Sequence, residues 1–135
     1  MIVSLHVATG AAAGVLLGSR KKALLAGLAL HALGDRMPHH DINSQRFEIA
    51  SGVAAVAALA VRHGLTSPIV VGALAASAPD VEHVLPLPRP GGRKLFPSHR
   101  VEGWHQAGGV PTWAQLVAAG VILGTVLACR PGHDA

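Results

Sequence analysis

Charge, aromatic rings and cysteine are the scarce components of this 135-residue chain. Only 13% of its residues are Asp, Glu, Lys or Arg and only 3% are aromatic, with no tyrosine at all. Soluble domains carry about 25% charged residues, so a solvated surface is hard to cover here, and the shortage points to a bilayer as the surrounding medium. The formal net charge of +4 does not indicate nucleic acid. The basic residues sit in short clusters between apolar stretches, without the aromatic residues on which bases stack. Cys129 is the single cysteine, which excludes an intramolecular disulfide framework and any cysteine-rich zinc module. The length suits one domain, residues 1–135.

What the chain has in quantity is apolar residues, 50% of the total, and histidine, nine copies. Imidazole is the commonest metal ligand and titrates near neutral pH, so the positions of the nine matter.

Five uncharged runs organise the sequence. Met1 to Ser19 is the first, closed by Arg20, Lys21 and Lys22. A secretory signal carries its positive charge before the apolar run, so this stretch reads as a retained helix. Ala23 to Gly34 is the second, continuing through Asp35 and Arg36 and ended near Met37 by Pro38, whose ring clashes with the carbonyl of Gly34. His39 to Gln45 is polar and turn-like, and Ile49 to Val61 follows, closed by Arg62, His63 and Gly64. Thr66 to Ala78 is the fourth run, with Ser67 as its cap and Pro68 in the first turn. Residues 84–111 hold Pro86, Pro88, Pro90 and Pro97 with Gly91, Gly92, Gly108 and Gly109 among their glycines, a long Pro/Gly-rich loop of the kind that is usually functional in a compact domain. Pro111 to Cys129 is the fifth run.

The expected fold is therefore all-α, a membrane-embedded bundle of about five short helices with one long loop. Only the first and fifth runs approach the ~20 residues of a bilayer span. A soluble five-helix bundle is the competing fold, but its helices would show polar outer faces, and Gly52 to Val61 is apolar all round. Gly10, Gly14 and Gly18, with Gly72, Ala76, Gly120 and Gly124, offer close helix contacts.

An up-and-down order sorts the polar residues. Arg20, Lys21, Lys22, Arg62, His63, Arg130 and His133 fall on one side. The other receives nearly everything else, including His6, His31, Asp35, His39, His40, Asp41, Asp80, Glu82, His83, His99, Glu102 and His105, so that seven of nine histidines and six of seven acids converge on one face. His31 and Asp35 are four apart on one helix face, where a carboxylate orients an imidazole or both bind one ion. Asp80 and His83 are three apart, just after Pro79. Histidine and carboxylate without thiolate suit zinc, manganese or iron in catalytic work. His63 and His133 lie at the far side and read as ordinary polar residues. The two sides carry five and six Lys plus Arg, so the positive-inside rule assigns no orientation.

The stretch Gly72-Ala73-Leu74-Ala75-Ala76-Ser77-Ala78-Pro79-Asp80-Val81-Glu82-His83 resembles the Gly-rich helix ending in Pro-Asp-x-Asp-His of a family of bacterial inner-membrane metal-dependent hydrolases, also described as LexA-binding inner-membrane-associated hydrolases. Leu5-His6-Val7-Ala8-Thr9-Gly10 is similar to that family's amino-terminal His and small-residue helix, and His99-Arg100 with His105 to its His-Arg...His element. His31 to Asp41 is similar to a His-x-x-x-Asp-x-x-Pro-His segment that echoes zinc-dependent phospholipase C. Glu82 stands where the family has Asp, and the His-Arg...His spacing is about one residue longer. The resemblance implies a multi-pass protein of the bacterial inner membrane with a divalent metal site, zinc first, used for hydrolysis.

From these residues we expect metal ligands among His6, His31, Asp35, His39, Asp80, His83, His99 and His105, enough for two ions, which together clamp the attacking and leaving oxygens of a phosphoester. Glu82 or Asp41 is expected as general base and Arg100 as the group that stabilises developing phosphoryl charge. The substrate would be a phospholipid or other phosphoester at the membrane surface. The alternative is a membrane metal-binding or transport protein without hydrolysis, although transport sites favour broken helices near the midplane. A bis-His haem bundle is disfavoured by the carboxylates and the few aromatics.

Overall fold

The computed structural model describes residues 1–130, so His133 lies outside the described residues. Among these residues the regular structure is helical: α1 (Val3–Leu17), α2 (Arg20–Arg36), α3 (Gln45–His63), α4 (Pro68–Ser77), the single turns α5 (Val81–Val84) and α6 (Pro97–Arg100), and α7 (Thr112–Ala128). The five apolar runs thus become α1 to α4 and α7. Two differences have local causes. α3 starts before its apolar run, at Gln45, because the Ser44 hydroxyl accepts from Phe47 N and caps the first turn. The long loop is not wholly irregular, holding a 3-10 turn at Pro90–Gly92 as well as α6. The other boundaries follow their signals: α2 ends before Pro38, and Ser67 caps α4 with Pro68 in its first turn.

α4 packs chiefly against α1 and α2, and small residues set that distance. A Cβ added at Gly10 would fall 2.2 Å from the Gly72 carbonyl oxygen, and one at Gly72 the same distance from the Gly10 carbonyl oxygen. Only glycine lets these two backbones meet. The expectation for the other small residues divides: Gly14 touches Pro68 and Ile69, whereas Gly120 and Gly124 have no neighbour within 4 Å where a Cβ would sit. Val7, Ala11, Leu59, Val70, Ala73 and Val126 form the main apolar core.

Contacts along the helices establish the up-and-down order. The Val3 amide donates to Glu48 at the start of α3, and Ile2 N donates to Gln115 at the start of α7. At the opposite end Arg62 donates to the carbonyls of Leu127 and Cys129, and His63 Nε2 lies 3.1 Å from the Val126 carbonyl, so both close the C-terminus of α7. His63 therefore has the structural role expected of it.

α1, α2, α3 and α7 have 15, 17, 19 and 17 residues, roughly 22 to 28 Å at 1.5 Å per residue. Among the described residues no helix is long and apolar enough to cross a membrane. Large apolar side chains are nonetheless exposed, Leu16, Val61 and Trp113 among them.

Candidate metal centre

His6, His31 and Gln115 are among the largest fully buried side chains, so the polar cluster is part of the bundle interior. His6 comes from the second turn of α1, His31 and Asp35 from the last turns of α2, Asp80 from the 3-10 turn after α4, and His99 from α6. Asp35 Oδ2 lies 3.0 Å from His31 Nε2 and 3.3 Å from His99 Nε2, while Asp35 Oδ1 lies 3.3 Å from His6 Nε2. His31 Nε2 lies 3.2 Å from His99 Nε2 and 3.9 Å from Asp80 Oδ1. Ligands at 2.0 to 2.1 Å from a tetrahedral zinc stand about 3.3 Å apart, which is the scale of these separations.

The outer hydrogen bonds fix the tautomers. His31 Nδ1 lies 2.8 Å from the Ala76 carbonyl, which can only accept, so Nδ1 carries the proton and Nε2 turns its lone pair inward. His99 Nδ1 donates to the Glu82 carboxylate in the same way. His6 stacks on His31 with ring centroids 4.1 Å apart, and among the described residues its two buried nitrogens have no partner in hydrogen-bonding geometry. Asp80 Oδ2 is likewise buried and unpartnered. Buried polar atoms without partners are rare, and a cation held among these lone pairs would satisfy them.

Two groups could hold a divalent ion here, His6/His31/Asp35 and His31/Asp80/His99, and His39/Asp41/His105 could hold another. In the last group, His39 Nδ1 donates to the Met37 carbonyl, and Nε2 faces Asp41 Oδ1 at 3.1 Å. His105 Nε2 lies 3.7 Å from Asp41 Oδ2. Backbone bonds from His39 N to Gln106 O and from Gly108 N to His39 O hold the two loops together. Gly109 permits the contact, with φ of 80° and no room for a Cβ beside the Pro38 carbonyl.

A cavity of about 550 Å³ opens onto both groups, with Asp35, Asp80 and His99 at one part of its wall and Asp41 and His105 at another. Burial raises the Asp80 carboxyl to about 6, only partly opposed by His31. Burial, with His99 and Lys94 nearby, lowers His83 to about 4. Burial disfavours charge on His99 too, but its bonds to Asp35 and Glu82 prevail and raise it.

Three expected roles change. Glu82 is buried, and its oxygens accept from Leu95 N, Phe96 N and His99 Nδ1. It orients His99 and does not line the cavity, so it is not placed as a general base. Despite burial, these donors hold its carboxyl below the usual range. Arg100 gives its Nε to the Lys94 carbonyl and does not line the cavity, whereas Lys94 does. His83 Nε2 stands 3.5 Å from His99 Nε2, but Lys94 Nζ donates to its Nδ1, leaving the ring proton on Nε2. His83 is thus a neighbour of the cluster and not a ready ligand. Glu102 and His40 are exposed.

Ser98 and Glu48 were not anticipated. Ser98 donates to Asp35 Oδ2 at 2.9 Å, and Glu48 lines the cavity while accepting from Val3 N. Lys94 had a signal, as one of three lysines and the one inside the long loop. No family model, curated protein or solved structure matches this chain.

Proposed function

We propose that the chain is a membrane-bound, divalent-metal-dependent hydrolase acting on a phosphoester, with zinc as the first candidate metal and manganese or iron as alternatives. The observation that carries this reading is the His31/His99 pair, each ring locked through Nδ1 so that both Nε2 atoms face one point beside Asp35 and Asp80. The resemblance of the Pro79-Asp80...His83 and His99 segments to the bacterial inner-membrane hydrolases supports it.

A bound divalent ion supplies a water of lowered pKa and neutralises phosphoryl oxygens. Hydrolysis would form one P–O bond from a water molecule and break the P–O bond to the leaving alcohol, which would take up a proton. Asp80 Oδ2, buried and without a hydrogen-bond partner among the described residues, replaces Glu82 as the carboxylate placed to carry that proton at the first group. Asp41 retains that role at the exposed group. Lys94, on the cavity wall, takes the charge-stabilising role expected of Arg100.

The bilayer setting rests on exposed apolar side chains on α1, α2, α3 and α7. Helices of roughly 22 to 28 Å against a hydrocarbon core of about 30 Å imply local thinning, at fractions of a kcal/mol per Å. The site lies at the helix ends, where a surface-presented substrate reaches it, and not along a midplane path as a carrier would require.

Elemental analysis of purified protein, followed by a phosphodiester panel with zinc, manganese and iron, tests the reading. Stoichiometric metal with turnover is expected. Full metal occupancy with no hydrolysis of any phosphoester transfers the assignment to a metal carrier, and absence of metal binding removes both.

A further inference from the structure

A second depression, an apolar groove of about 510 Å³, runs between α3 and the α4–α5 segment. Ile49, Val53, Val56 and Ala60 form one wall, with Leu74 and Val84 opposite. Of its lining residues only Ser77 and Asp80 carry polar side chains, and the Ser77 hydroxyl is engaged by the Ala73 carbonyl. Asp80 is therefore the groove's single ionisable group. It and Val3 also line the polar cavity of the candidate metal centre. An apolar channel and a charged chamber thus share a boundary at Asp80, the one carboxylate among the described residues that has a buried, unpartnered oxygen.

The dimensions fit one occupant. From Ile49 to Ala60 the α3 wall extends roughly 16 Å at 1.5 Å per residue, close to the ~15 Å that one leaflet contributes to a 30 Å hydrocarbon core. The far end is entirely apolar, at Leu65. The near end opens beside Lys94, where an anionic headgroup meets positive charge.

We infer that the α3–α4 groove holds one acyl chain of a glycerophospholipid whose phosphodiester lies in the cavity between Asp80 and Lys94. This inference rests on the hydrolase reading for its chemistry but not for its binding. The groove selects long-chain amphiphiles, and a second acyl chain stays in the bilayer. Filling the groove removes chain binding without touching the metal centre.

The test uses the full-length protein in detergent with a phosphatidylethanolamine that carries a photoactivatable diazirine in one acyl chain. Ala57→Trp, at an exposed lining position, blocks the groove from α3, and Val84→Trp blocks it from the other wall. Unchanged metal content shows that a variant is folded. The expected result is saturable labelling of α3 and α4 peptides at about one equivalent of lipid, reduced at least about tenfold in either variant. Hydrolysis of the long-chain lipid should fall by a similar factor, while a short water-soluble phosphodiester is cleaved as before. Saturable labelling with neither substrate cleaved leaves the groove assignment standing and removes the hydrolase reading. Labelling that rises in proportion to lipid and is equal on the α7 face, or is unchanged in both folded variants, overturns the groove assignment.

Discussion

His31 Nε2 and His99 Nε2 face each other at 3.2 Å, and both rings have their protons on the opposite nitrogen. Two lone pairs at that distance repel unless a cation or an added proton sits between them. In the metal-free protein the bonds of His99 Nε2 to Asp35 and of Nδ1 to Glu82 raise its pKa, which favours a proton at that point. A bound metal ion would take its place, so binding would displace protons.

Asp80→Asn and His99→Ala should each lower bound metal, and the double change should lower it little further. The two residues belong to one candidate ligand group although they are 19 positions apart, and groups that act as a unit are non-additive. Metal content by elemental analysis decides this. Additive losses would place the residues on separate ions, and no loss in either would remove the assignment.

Glu82→Gln should lower metal affinity by roughly 10- to 100-fold, the usual scale for a partner that orients a histidine ligand. The carboxylate accepts from two backbone amides and from His99, whereas an amide can offer only one acceptor oxygen. A general base would behave differently, with metal affinity unchanged and turnover alone reduced. Competitive titration of zinc against a chromophoric chelator separates the two outcomes.

Much of the fold was legible because charge is so scarce. Each apolar run ends at a basic cluster, a proline or a glycine, and α2, α4 and α7 stop or start there. The convergence of His6, His31, Asp35, Asp80 and His99 required only the alternation of helix direction. Burial was not legible. Glu82 and Asp80 look equivalent in Pro79-Asp80-Val81-Glu82-His83, but the 3-10 turn at Ala78–Asp80 rotates Asp80 toward His31 and sends Glu82 behind His99. Arg100 is turned from the cavity for a similar reason, since the short α6 turn carries it back onto the Lys94 carbonyl.

Fractionation should place the chain with membranes and require detergent for extraction. Single cysteines near Arg20 and Arg62 should label from one side, and those near Asp41 and Arg93 from the other. The contacts of Arg62 with Leu127 and of Gln115 with Ile2 put these positions at opposite ends of the bundle. Recovery as a monodisperse protein without detergent would sink the bilayer reading and leave the metal cluster untouched. Labelling of the Asp41 and Arg93 positions from opposite sides would contradict the fold itself.

Asp80→Asn should also change how stability depends on pH in the metal-free protein. Burial raises the Asp80 carboxyl from 3.8 to about 6, so the folded state prefers it protonated. Its contribution is fully present below pH 3.8 and is lost as pH rises through about 6, because ionising the buried group then costs more in the folded than in the unfolded chain. A shift of this size corresponds to something on the order of 2 to 3 kcal/mol. Asn is neutral throughout, so the variant should gain on the unmodified protein between pH 4 and pH 7 and then hold a constant lead. Metal reverses the order, since it pairs with the ionised carboxylate of Asp80 and finds a weaker ligand in Asn. Thermal unfolding of both proteins across that range, with chelator and with zinc, reads the crossing directly. A pH-independent difference in chelator would show that Asp80 is already ionised and solvated in the fold, and an unchanged order with zinc would remove it from the ligand set.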